Sequence, residues 1–260
     1  MPAPALASND PAVVVSDLSF RYRRDLPLVL TGASLEVPRG ARCLVVGANG
    51  AGKTTLLRII GGKHMVPEEA VRVLGRSAFH DTGLAAVVDY LGGNFPFAVD
   101  IRVGDLVAGV RPVDPQRRAR LIQLLGVDID WHMHRVSDGQ RRRVQLLLGL
   151  MRVRELLLLD EVTTDLDLLA RQDLLDFLHE ESEARGVTVL YASHILDRLD
   201  SWASHICMVS SGRVERMVPI DEMAELVEAR AAGASSPLYQ AVHGWLSAQR
   251  AAATGVSPLL

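Results

Sequence analysis

The chain has 260 residues, 48% of them hydrophobic, enough to bury a substantial core as one large α/β domain, with or without a small appendage. Its net charge of −3 gives no global reason to expect nucleic-acid binding. Cys43 and Cys207 lie in apolar runs and are too few for a disulfide framework, which points to a reducing compartment. No signal-peptide pattern is visible in Met1 to Pro11 and no apolar run reaches the ~18 residues of a membrane span, so a soluble protein is expected.

In chain order, Val13-Val14-Val15 through Phe20 and Tyr22 predict a strand with Leu18, Phe20 and Tyr22 on one face. Ala33 to Val37 predicts a second strand, closed by the turn Pro38-Arg39-Gly40. Cys43-Leu44-Val45-Val46 reads as a buried strand, and Leu56, Leu57, Ile59 and Ile60 as the inner face of the helix after it. A short strand follows at Val71 to Leu74. Between Ser77 and His134 the pattern is weak, with Arg117 to Leu125 its most helical part. Val144 to Met151 reads as a buried helix, and Leu156 to Leu159 as an inner parallel strand ending in Asp160-Glu161. An amphipathic helix at Leu168 to Glu183, a buried strand at Val187 to Tyr191, and a hairpin of Ile206 to Val209 with Arg213 to Val218 complete the alternation. Strands alternating with helices imply a mostly parallel sheet. Beyond Pro219, Met223, Leu226 and Val227, then Leu238, Val242, Trp245 and Leu246, fit two helices around Gly233 to Pro237. Periodicity leaves open whether these pack on their own domain or on a partner. Trp131, Trp202 and Trp245 read as core or interface aromatics.

The stretch Gly47-Ala48-Asn49-Gly50-Ala51-Gly52-Lys53-Thr54-Thr55 carries the chemistry. It has the form G-x-x-x-x-G-K-[ST] at a strand-to-helix turn, where backbone N–H groups and a helix N-terminus point at phosphate oxygens. Lys53 and Lys63 are the only lysines of the chain, so a chance Lys at this position is improbable. Lys53 is placed to reach the β- and γ-phosphates, and the Thr54 hydroxyl to ligate Mg²⁺. Asp160, at the C-terminal end of its strand, faces the same crevice and suits the metal; Glu161 suits orientation of an attacking water.

Val136-Ser137-Asp138-Gly139-Gln140-Arg141 then resembles the signature motif of ATP-binding cassette (ABC) ATPases, usually L-S-G-G-Q. Asp165-Leu166-Asp167 resembles that family's D-loop, Ser193-His194 its switch histidine, and Tyr22 the aromatic that stacks on adenine. The ordered set covers Val13 to Met217. The resemblance implies an α/β P-loop NTPase of ABC type, with a mostly parallel core sheet, an N-terminal antiparallel β subdomain and an α-helical signature subdomain. It implies a nucleotide-binding domain at 12–218, its helical subdomain about 95–152, a helical appendage at 219–250, and loose tails at 1–11 and 251–260.

It further implies ATP and Mg²⁺ as cofactors and hydrolysis with Glu161 and His194 catalytic. Tyr22, Gly47, Asn49, Gly50, Ala51, Gly52, Lys53, Thr54 and Thr55 would hold the nucleotide, with Thr54 and Asp160 on the metal. In a head-to-tail dimer, Ser137, Gly139, Gln140 and Asp167 would act across the interface. Asp138 replaces a glycine and would repel phosphate unless turned away or paired; Arg141, Arg142 or Arg143, otherwise a solvated helix face, could neutralise it. No Gln occupies the Q-loop, whose place is taken by Tyr90-Leu91-Gly92-Gly93-Asn94-Phe95; Asn94 offers the nearest amide.

With Gly61 to His64, Met133 to Val144, Leu159 to Thr163 and Pro237 to Leu246, these departures resemble a soluble branch without membrane domains. That branch includes a yeast factor associated with the CCR4–NOT complex and plant subfamily I. The branch implies a soluble protein partner and a cytoplasmic, in a eukaryote also nuclear, location. The alternative is the ATPase subunit of a transporter whose membrane domain is a separate chain. His132 and His134 form an H-x-H pair that reads as structural, since no further ligand accompanies it in sequence.

Overall fold

A computed structural model describes residues 10–93 and 100–254, with side chains described as far as Ala251. The chain opens with two antiparallel strands, β1 (Val13–Phe20) and β2 (Leu30–Val37), and then enters β3 (Arg42–Val46) and α1 (Lys53–Ile60). β4 (Val71–Val73) and β5 (Arg76–Ser77) extend the first sheet, and β6 (Val88–Gly92) joins the second. The helices α2 (Val103–Gly109), α3 (Pro115–Leu124) and α4 (Asp138–Leu150) precede β7 (Leu156–Asp160). Next come α5 (Leu168–Arg185), β8 (Thr188–Ala192), the short α6 (Leu199–Trp202), β9 (His205–Ser210) and β10 (Arg213–Pro219). α7 (Ala224–Ala231) and α8 (Pro237–Thr254) close the chain.

The strands form a four-stranded antiparallel sheet, β2-β1-β4-β5, and a six-stranded sheet, β10-β9-β3-β8-β7-β6, parallel except for β10. The alternation of side chains explains the packing. On the central strands Cys43, Val45, Leu156, Leu158, Leu190 and Ala192 face α1 and the antiparallel sheet, while Leu44, Val46, Leu157, Leu159, Val189 and Tyr191 face the other helices. A strand covered on both faces must be apolar throughout, and β3, β7 and β8 are buried along their whole lengths.

β1 does not run straight to Tyr22. Asp17 has φ 45° and the register slips between Val15 and Leu18, so the strand ends at Phe20 and Tyr22 lies beyond it. The weakly patterned region holds more regular structure than its sequence signals, namely β5, β6 and α2. α7 and α8 pack on the chain itself: Met223, Leu226, Leu238, Ala241 and Val242 are buried in the core shared with α4 and α5. Among the described residues no helix is long and apolar enough to cross a membrane.

Candidate functional site

Because β3, β6, β7 and β8 are parallel, their C-terminal ends share one edge of the sheet. Registration sets Gly92 beside Asp160, Asp160 beside Ala192 and Ala192 beside Val45. The Gly-rich loop leaves β3 at this edge and turns into α1. Gly52 caps that helix at φ 110°, and a Cβ there would lie 2.8 Å from Leu30 Cδ2, so the turn takes glycine for both conformation and space. A cleft of about 310 Å³ opens beside the loop, lined by Val29, Asn49 to Thr55 and Glu161.

Lys53 is buried, and its ammonium donates to the carbonyls of Gly47 at 2.7 Å and Ala48 at 3.1 Å, folded over its own loop. Burial holds its pKa below the usual 10.5, although Glu161 and Asp160 oppose that shift. Thr54 Oγ1 donates to Asp160 Oδ1 at 3.1 Å, joining the loop to the end of β7. Glu161, the next residue, has φ 53°, a conformation that costs a non-glycine residue energy and is held by a bond from its N–H to Ala192 O at 3.0 Å. His194 Nδ1 stands 2.8 Å from Glu161 Oε2. The two approach as polar groups without hydrogen-bond geometry, so Oε2 retains an unshared lone pair.

The Tyr22 hydroxyl pairs with Thr55 Oγ1 at 2.9 Å, and its ring meets Phe20 and His64 edge-on with centroids 5.3 Å apart. The side chain is nevertheless 44% exposed. Sequence reasoning passed over a further group at this edge. Tyr90 of β6 donates its hydroxyl to Asp160 Oδ2 at 2.7 Å and accepts from Arg58 Nε at 3.3 Å. Burial, then the Asp160 carboxylate, pushes that phenol up to about 12 against the opposing pull of Arg58. The one sequence signal was the Tyr90-Leu91-Gly92 motif itself, which carries no separate chemical pattern.

Ser137, Gly139 and Gln140 do not line the cleft; they begin α4. Ser137 Oγ accepts from Gln140 N at 3.2 Å and Gln140 Oε1 accepts from Ser137 N at 2.8 Å, a reciprocal capping box. A Cβ on Gly139 would lie 3.1 Å from Asp165 O. The three arginines are not a solvated face: Arg141 pairs with Asp138 at 3.0 Å, Arg142 with Asp165 at 3.7 Å, and Arg143 with Asp167. Asp167 also caps α5, accepting from Leu169 N and Ala170 N. The Ala170 N–H bond, with Arg143 adding to it, holds its carboxyl below the usual 3.8.

Asn94 lies outside the described residues. The H-x-H pair gains a partner that sequence proximity did not supply: Asp100 Oδ1 is 2.7 Å from His132 Nδ1 and 3.0 Å from His134 Nδ1. Arg135 Nε donates to His134 Nε2 at 2.9 Å. An arginine can only donate, so His134 accepts on Nε2 and carries its proton on Nδ1, toward Asp100: a neutral imidazole hydrogen-bonded to a carboxylate.

The profile of the ABC transporter family matches residues 30–164. ABC transporter I family member 20 of Arabidopsis thaliana is 47% identical over 230 residues, covering 84% of this chain and 68% of that protein. CCR4-associated factor 16 of Saccharomyces cerevisiae is 36% identical over 244 residues, covering 85% of this chain and 84% of that protein. Among solved structures, an ATP-binding cassette in a dimeric, post-hydrolysis state bound to ADP and Pi superposes with a TM-score of 0.66 at 19% identity, covering 80% of this chain and 98% of that one.

Proposed function

This chain belongs to the ABC transporter family as an ATP-binding, ATP-hydrolysing member, and we propose that it couples Mg²⁺-dependent ATP hydrolysis to head-to-tail dimerisation that acts on a protein partner. The observation that carries this reading is one convergence. Lys53 and Thr54 of the loop, Asp160 of β7, Glu161 and His194 meet at a single sheet edge, with Thr54–Asp160 at 3.1 Å and Glu161–His194 at 2.8 Å.

The donors suit the cation. Thr54 Oγ1 and Asp160 Oδ1 are hard oxygens, one neutral and one anionic, and Mg²⁺ favours a few such ligands together with water and phosphate oxygens. The bound ion would neutralise developing phosphate charge. Lys53 and the loop N–H groups, with Gly47, Asn49, Gly50, Ala51, Gly52 and Thr55, bind and orient the phosphates. Tyr22 supports the base. Glu161 takes or polarises the proton of the attacking water, and His194, beside it, hydrogen-bonds the γ-phosphate. Ser137, Gly139 and Gln140, outside the cleft, form a helix N-terminus available to a second subunit's nucleotide, with Asp167 beside it.

The relative named CCR4-associated factor 16 supports a partner in a transcription or mRNA-regulatory complex. A second reading, the ATPase subunit of a transporter, rests on the family's name and on the relative named ABC transporter I family member 20. Affinity purification with a Glu161→Gln variant separates the two: a water-soluble complex is expected, and an integral membrane protein would favour the second. A Lys53→Ala protein lacks a charge-assisted phosphate contact worth about 1.5–3 kcal/mol. Wild-type ATPase rates from it would defeat both.

A further inference from the structure

We infer that Tyr90 is a positioning residue for the metal-side carboxylate, its hydroxyl locking Asp160 in the rotation that presents Oδ1 to the nucleotide's cation. The inference rests on the reading of Asp160 as the Mg²⁺-associated carboxylate. Asp160 is buried, and each of its oxygens has a separate donor: Thr54 Oγ1 on Oδ1 at 3.1 Å, Tyr90 Oη on Oδ2 at 2.7 Å. The second bond sets what the first oxygen can do. A carboxylate held at one oxygen can no longer turn about its Cβ–Cγ bond without breaking that contact.

Two independent features point the same way. The first is the direction of the phenolic proton. Arg58 Nε lies 3.3 Å from Tyr90 Oη and can only donate, so the tyrosine accepts there and its own hydrogen is left for Asp160. Arg58 lies one helical turn beyond Thr54 on α1, so the network returns to the helix it began on: Thr54, Asp160, Tyr90, Arg58.

The second is the room made for the ring. In the parallel register Gly92, not Tyr90, lies beside Asp160, so the phenol must reach along its own strand across two residues, close to 7 Å. A Cβ at Gly92 would stand 2.8 Å from Tyr90 Oη, 3.0 Å from its Cζ and 2.6 Å from Asp160 Cβ. Glycine at this position therefore opens the path by which the hydroxyl arrives. Tyr90 and Gly92 form one device, which accounts for the Tyr-x-Gly spacing at the end of β6.

Tyr90→Phe removes only the hydroxyl and keeps the ring in place. Partners that orient a metal's ligands typically carry a factor of about 10–100 in metal affinity. In the full-length protein with ADP or ATP present, the Mn²⁺ dissociation constant from electron paramagnetic resonance should rise about tenfold. The Mg²⁺ concentration for half-maximal hydrolysis should rise in parallel, with the rate largely restored at saturating Mg²⁺. Nucleotide affinity in EDTA should be unchanged. A Tyr90→Phe protein that melts lower but binds Mn²⁺ like the wild type would overturn the inference, since that is the behaviour of a packing residue. Asp160→Asn serves as the separate control. It should lose Mn²⁺ binding that excess metal does not rescue; if it binds Mn²⁺ normally, the metal assignment itself fails, and the role of Tyr90 with it.

Discussion

Tyr22 divides its two ends between different tasks. The hydroxyl is tied to Thr55, one residue past the loop's Thr54, while the half-exposed ring is left for the stacking role proposed for it. Stacking of one base on one aromatic ring is worth about 1–3 kcal/mol, whereas a neutral hydrogen bond contributes about 0.5–1.5 kcal/mol, here to the fold more than to the ligand. Tyr22→Ala should therefore weaken ATP binding between roughly fivefold and a hundredfold. Tyr22→Phe should lower the melting temperature slightly and leave the affinity near wild type. Titration calorimetry on both variants decides it. Equal losses would mean that the hydroxyl, through Thr55, carries the contact with the nucleotide. Glu161 illustrates a different cost at the same scale: its left-handed backbone is held by Ala192, so the position spends conformational energy to aim a carboxylate.

Among the elements, α8 makes the clearest test of how the chain's end is held. Leu238 is 2% exposed and packs in the core with α4 and α5, while Val227 of α7 is 46% exposed. Leu238→Ala should cost about 2–5 kcal/mol by removing buried methyls and leaving a cavity, and Val227→Ala should stay within about 0.5 kcal/mol. Urea denaturation gives both values, and equal costs would contradict the packing. The same contrast explains which elements could be read from sequence. β3, β7 and β8 are covered on both faces and appear as unbroken apolar runs. β6, Val-Asp-Tyr-Leu-Gly, is an edge strand of mostly intermediate burial that carries an aspartate, so it presents neither an apolar run nor a clean alternation. α2 spans seven residues, and Arg102, which precedes it, supplies no side-chain cap, leaving no start signal. At the site, the Gly-rich loop is legible because its chemistry is contiguous. The Tyr90–Asp160 bond is not, because strand pairing joins residues 70 apart in the chain.

At the scale of the whole molecule, acid sensitivity and assembly can both be argued. Burial, the leading cause at each, lowers the pKa of His64 and His205 below 6.5, Arg58 adding to it at His64 and Glu222 opposing it at His205. A depressed base favours the folded state when neutral. Its contribution is thus complete above pH 6.5 and is lost as pH falls from there through the folded pKa. Chemical denaturation should show stability declining over that window, and the His205→Gln variant should flatten the decline; an unchanged slope would refute the role of His205. Assembly turns on a surface instead. Leu168 and Leu169 are 69% and 73% exposed immediately after Asp167, whose carboxylate is already held by Arg143 and the N-terminus of α5. Two adjacent exposed leucines on a rigid, capped helix start favour a partner subunit at the seam where the signature helix of the other chain is expected. Glu161→Gln keeps shape and hydrogen-bonding reach but removes the carboxylate proposed to polarise water, so ATP should persist and the dimer accumulate on size-exclusion chromatography with MgATP. Adding Leu169→Asp should return that variant to monomer, with ATP still bound through the chain's own loop but less tightly, because the second subunit's signature contacts are lost. A Glu161→Gln protein that binds ATP normally and elutes as a monomer would sink the head-to-tail arrangement for this chain, whatever its fold.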